Sequence, residues 1–93
     1  MRFQLSLRLR EDNVAKKVFH LIFPSKLIKE PVMFLVARNN QLLLNIRRAK
    51  ITPEAGEATI ELEGDAANID KAEKAFKGKG VAIEPVLGDI VEG

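Results

Sequence analysis

The chain has 93 residues, with 15 Lys/Arg, 13 Asp/Glu, one histidine and no cysteine, tryptophan or tyrosine. That length provides one domain with one modest core. The missing cysteines exclude disulfides, thiolate nucleophiles, iron–sulfur clusters and cysteine zinc sites, and His20 alone excludes a multi-histidine metal centre within the chain.

Met1 to Arg10 alternates strictly, with Phe3, Leu5, Leu7 and Leu9 on one side and Arg2, Gln4, Ser6, Arg8 and Arg10 on the other. The period of two predicts a half-buried strand, ended by a turn at Glu11-Asp12-Asn13. The arginines also interrupt any secretory-signal pattern. A second strand is predicted from Lys17 to Phe23, with Phe19, Leu21 and Phe23 on one face and Val18, His20 and Ile22 on the other; Pro24-Ser25 ends it. Pro31 suits a first helical turn and Glu30 suits the positive end of a helix dipole. The helix predicted from Pro31 to Asn39 is rich in apolar residues, Val32 through Val36.

A strand follows from Gln41 to Ile51, then a turn at Thr52-Pro53-Glu54-Ala55-Gly56 and a return strand from Glu57 to Glu63. In the return strand Ala58, Ile60 and Leu62 alternate with Thr59, Glu61 and Glu63. Gly64 makes the next break, and Asp65 is a good N-cap for a helix from Ala66 to Lys77 with Ile69, Ala72 and Phe76 on one stripe. Gly78 and Gly80 stop it, and a last strand is predicted from Val81 to Val86. No run approaches the ~20 apolar residues of a membrane span, and cytoplasmic residence is expected.

Without the N-terminal strand the order is β-α-β-β-α-β, the split βαβ or ferredoxin-like arrangement: an α+β fold with a four-stranded antiparallel sheet and both helices on one face. The divisions are 1–13 for the extra strand and turn, 14–88 for the domain and 89–93 for a Gly- and acid-rich tail. Helix-facing positions are expected at Phe19, Leu21, Phe23, Leu44, Ile46, Ile60, Leu62, Val81 and Ile83, meeting Val32, Val36, Ile69 and Phe76. The opposite face carries Val18, His20, Ile22, Leu43, Asn45, Arg47, Thr59, Glu61, Glu84 and Val86. It has no helix over it, and function is expected there.

Charge divides unevenly. Residues 1–50 hold eleven Lys/Arg against three Asp/Glu, and residues 51–93 hold four against ten. Adjacent strands place opposite charges within reach, so the two halves are expected to lie side by side and neutralise each other rather than to bind nucleic acid. An RNA-recognition sheet needs aromatics for base stacking, whereas this face presents Val18, His20, Thr59 and Glu61. A phosphatase of similar topology needs an arginine after the first core strand, where Phe23-Pro24-Ser25-Lys26 has none.

A series of landmarks resembles the NIL domain family: Glu30-Pro31-Val32, Asn45-Ile46-Arg47, Gly56, Leu62-Glu63-Gly64 and Gly80-Val81-Ala82-Ile83-Glu84. The resemblance runs from about Val18 to Val86. The family is a ferredoxin-like ligand-sensing domain found at the C-terminus of the ATPase subunit of methionine importers. Its signature asparagine, linked there to methionine binding, falls on Asn45. Arg47 departs from the leucine of the signature, and Phe34 and Leu35 replace residues that are usually polar, which implies a covered helix face. The first sixteen residues have no counterpart in the family.

No glycine-rich phosphate loop is present, which excludes ATP hydrolysis, and no cluster-binding segment is possible without cysteine. No catalytic residues and no cofactor or metal are expected. The candidate ligand-binding residues are Asn45, Arg47 and His20. Asn45 offers donor and acceptor to an amino acid, and its alternative is a structural amide. Arg47 either clamps a carboxylate or pairs with Glu61 or Glu63 across the hairpin. His20 either polarises a ligand or is packed.

The resemblance implies a non-catalytic regulatory module that binds methionine or a related sulfur amino acid; the N-terminal strand, which either widens the sheet as a hairpin or adds to a second chain's edge, and the uncovered face lead to the expectation of a homodimer. The alternative is an accessory subunit in sulfur amino-acid or iron–sulfur metabolism that docks a partner protein through Phe34-Leu35 and the N-terminal strand and has no small ligand.

Overall fold

The structure, a computed structural model, describes residues 14–27 and 31–87. The predicted N-terminal strand, Glu30 and the tail lie outside the described residues. Within them the elements are β1 (Val14–Pro24), a 3₁₀ turn (Ser25–Leu27), α1 (Val32–Asn39), β2 (Leu43–Ile51), β3 (Ala55–Asp65), α2 (Ala66–Gly78) and β4 (Ala82–Pro85). The sheet is antiparallel with strand order β2-β3-β1-β4. This is the ferredoxin-like arrangement, with β1 and β3 central. Both central strands are longer than their apolar alternation alone predicts, because they pair with each other from Val14↔Asp65 to Pro24↔Ala55.

The core lies between one sheet face and the helices. Phe19, Leu21, Ile60 and Leu62 from the sheet meet Val32, Ile69 and Phe76 from the helices, all at 2% exposure or less. Leu44 is half-buried against this cluster. Ile46, expected beside it, is 38% exposed, because β2 is an edge strand with a neighbour on one side only. Val18, expected on the open face, pairs there with Glu61 and is nonetheless buried.

Both helices end in the same device. In α2 the N–H of Val81 donates to Phe76 O and that of Gly80 to Lys77 O, each at 3.0 Å, the paired bonds of a Schellman cap. In α1 the N–H of Leu42 donates to Ala37 O at 2.9 Å and that of Gln41 to Arg38 O at 3.1 Å. Gly80 takes the left-handed position at φ 94° in the first case; Gln41 takes it at φ 52° in the second. Leu42, delivered inward by this turn, packs against the end of β3, where a Cβ on Gly64 would stand 2.7 Å from Leu42 Cδ2. Asp65 follows as the expected N-cap of α2, its carboxylate accepting from Ala67 N at 2.9 Å.

The β2–β3 hairpin turns at Thr52–Ala55. Thr52 Oγ1 accepts from Ala55 N at 3.1 Å and donates to Ala55 O at 3.0 Å. The register then runs regularly until one irregularity, which shapes the open face.

Candidate functional site

Asn45 pairs with Glu61 and Ile46 with Ile60, but it is Arg48, not Arg47, that pairs with Thr59. Arg47 is the additional residue of a β-bulge. A bulge lets two residues oppose one and re-aims the side chains that follow. Before it, Asn45 shares the open face with Glu61; after it, Arg48 and Lys50 share that face with Thr59 and Glu57.

The open face is therefore built of rows running across the sheet. One row is Arg48, Thr59, His20 and Glu84, one residue from each strand. The row above is Lys50, Glu57, Ile22 and Ala82; the row below is Asn45, Glu61 and Val18. Acidic β3 thus runs between basic positions on either side. Lys16 Nζ is 3.7 Å from Glu61 Oε2, and Lys50 is the register partner of Glu57. Among the described residues, strands from the basic and acidic halves do meet within one sheet, as expected.

His20 is fixed at both ring nitrogens. Its Nε2 lies 2.9 Å from Glu57 Oε2 and its Nδ1 lies 3.3 Å from Thr59 Oγ1. In the neutral ring this geometry has Nε2–H donating to the carboxylate and Nδ1 accepting the threonine hydroxyl proton. Around this pair lies a shallow depression of about 450 Å³ lined by His20, Arg47, Arg48, Thr59 and Val86. Its size is that of a small-molecule site.

Two of the three residues expected from the sequence, His20 and Arg47, line that depression. Asn45 sits one row away, and its Nδ2 donates to Glu61 Oε1 at 3.2 Å. Glu61, an expected partner of Arg47, is thereby engaged by Asn45 and by Lys16. Arg48 and Thr59 complete the lining. Arg48 was not anticipated, because a bulge breaks the alternation from which faces are read.

On the helical side Phe34, expected to be covered, is 60% exposed. Among the described residues no cluster of three or more His, Asp or Glu is placed to hold a metal ion, and no helix is long and apolar enough to cross a membrane.

The NIL domain family model matches residues 17–85. Among solved structures the chain is similar to the crystal structure of the C-terminal domain of an ABC transporter ATP-binding protein from Enterococcus faecalis. The two superpose with a TM-score of 0.69 and 22% identity, over 94% of this chain and 98% of that one. At such identity the likeness is one of fold. No curated protein sequence matches the chain.

Proposed function

This chain belongs to the NIL domain family, and from that premise we propose that it is a non-catalytic regulatory module that binds a small amino acid, methionine or a related sulfur compound, on its open sheet face. The depression lined by His20, Arg47, Arg48, Thr59 and Val86 carries this reading. Guanidinium groups supply partners for a carboxylate, Val86 supplies apolar surface, and Asn45 stands in the adjoining row. Occupancy acts by differential affinity for two arrangements of the domain with its neighbour, since a ligand shifts an equilibrium only by that difference. The neighbour is a second copy or a partner protein meeting the exposed edge strand β2, in the cytoplasm.

Isothermal titration of the full chain with methionine tests the proposal. The expected result is saturable heat, together with a stabilisation of about 2.7 kcal/mol at a hundredfold excess over Kd. Absence of both heat and thermal shift at millimolar methionine rejects that ligand.

A second reading, an accessory subunit without a small ligand, draws on the exposure of Phe34 at 60%, Leu43 at 69% and Ile51 at 61%. Exposed apolar residues of this kind suit a protein interface. Phe34→Glu would then abolish partner capture while leaving any methionine heat unchanged.

A further inference from the structure

We infer that Thr59 is the acceptor for the ammonium group of the bound amino acid, and that Glu57, acting through His20, turns the threonine hydroxyl so that its oxygen accepts. The inference rests on reading the open face as an amino-acid site, and it assigns the ammonium its partner.

An ionised carboxylate only accepts hydrogen bonds. Glu57 Oε2 lies 2.9 Å from His20 Nε2, so the neutral ring carries its proton there and leaves Nδ1 as a bare lone pair. Thr59 Oγ1, 3.3 Å from Nδ1, then bonds to the ring only by donating. A threonine hydroxyl has one proton and two lone pairs. With the proton committed to His20, the oxygen is left as an acceptor.

Both ring nitrogens are thereby engaged within the protein, and His20 acts on a ligand only through Thr59. It is a positioning residue. Thr59 and Arg48 both line the depression, and they are register partners on β3 and β2. Directly opposed residues of an antiparallel pair stand about 5 Å apart at Cα. An acceptor thus adjoins a guanidinium, and an α-amino acid carries its ammonium and its carboxylate on one carbon. Carboxylate to Arg48 and ammonium to Thr59 is the pairing that suits both groups. Glu84, the register partner of His20 on its other side, adds negative charge to the same row.

The arrangement responds to protons. When His20 is protonated, Nδ1–H donates to Thr59 Oγ1, the hydroxyl proton turns away from the ring, and the threonine becomes a donor. The imidazolium also repels an ammonium. Glu57 and Glu61 on β3, Glu84 on β4, Lys50 on β2 and Lys16 on its own strand share the face with His20, and Arg47 and Arg48 line the depression beside it. Affinity for the ammonium is expected to fall on acidification.

The test is a titration of the full chain with three probes that differ only at the α carbon: methionine, its α-hydroxy analogue and its des-amino analogue. Circular dichroism confirms that each variant is folded. At about pH 8 methionine is expected to bind about tenfold more tightly than the des-amino analogue, as a hydrogen bond to a charged group provides. Thr59→Val should erase that preference and Thr59→Ser should retain it. The preference should shrink at about pH 5.5, below which histidine side chains are mostly charged, and His20→Gln should abolish this pH dependence. His20 is the only histidine of the chain, so its imidazole nitrogen resonances report the tautomer directly, with Nε2–H expected for the neutral ring.

An Nδ1–H tautomer, equal binding of methionine and the des-amino analogue, or a preference that survives Thr59→Val or ignores pH overturns the inference and leaves the amino-acid reading standing. Failure of methionine to bind at all overturns both.

Discussion

Arg48 stands directly opposite Thr59, although two residues separate it from Ile46 on its own strand while Thr59 adjoins Ile60 on the other. This one-residue mismatch lies at the depression, which both Arg47 and Arg48 line. It makes Arg47 structurally additional to the ladder, and the hairpin is closed independently at Thr52–Ala55.

Deletion of Arg47 is therefore expected to leave a regular hairpin with Arg48 still opposite Thr59. Stability should change by no more than about 1 kcal/mol, since the cost of an exposed surface change is small. If the depression holds the proposed amino acid, its affinity should fall, because Arg47 is one of the lining residues. Urea unfolding of the deletion variant measures the first expectation and titration the second; an unfolded variant would show that the bulge holds the sheet together.

Gln41 occupies a left-handed position at φ 52° where a side chain is strained. Gln41→Gly removes that strain, against a larger entropy loss of glycine on folding. The expected net gain is about 0.5–1 kcal/mol, read as a higher urea midpoint at unchanged slope. A loss of stability would mean that the 3.4 Å contact from Gln41 Nε2 to Asn39 O matters more than the backbone.

Two phenylalanines should respond oppositely to truncation. Phe76 is fully buried and Phe34 is 60% exposed. Phe76→Ala is expected to cost about 3–5 kcal/mol, comparable to the whole stability of a domain this small. Phe34→Ala should stay within about 0.5 kcal/mol. Thermal melts followed by circular dichroism separate the two, and a large loss at Phe34 would reveal a covering surface.

Asp65→Ala removes the carboxylate that accepts from Ala67 N at 2.9 Å. A loss of about 1 kcal/mol is expected, with Asp65→Ser recovering most of it. Equal losses in both variants would place the role of Asp65 elsewhere than at the helix start.

Much of the fold was legible because its elements obey simple periods. The alternation of Ala58, Ile60 and Leu62 with Thr59, Glu61 and Glu63 located both the strand and its buried face. Ile69, Ala72 and Phe76 did the same for α2, and Asp65 marked its start. The site was legible only in part. His20 and Arg47 were expected on the open face, and they line the depression. Arg48 was not, since a bulge breaks the period from which faces are read. Asn45 showed how a side chain suited to a ligand is equally suited to a neighbouring carboxylate, here Glu61. Phe34 is exposed in the single chain because Val32, Val36 and Ala37 already fill the helix's inward stripe.

Every one of the largest fully buried side chains, Phe19, Phe76, Leu21, Ile60, Leu62, Ile69 and Val32, sits between the sheet and its two helices. The side of these strands that holds the molecule together is consequently distinct from the side that carries the polar rows. Alternate letters of β1 and β3 belong to separate vocabularies, and evolution is free to rewrite one without corrupting the other. A scaffold organised this way tolerates single substitutions on its open side while its architecture stays put.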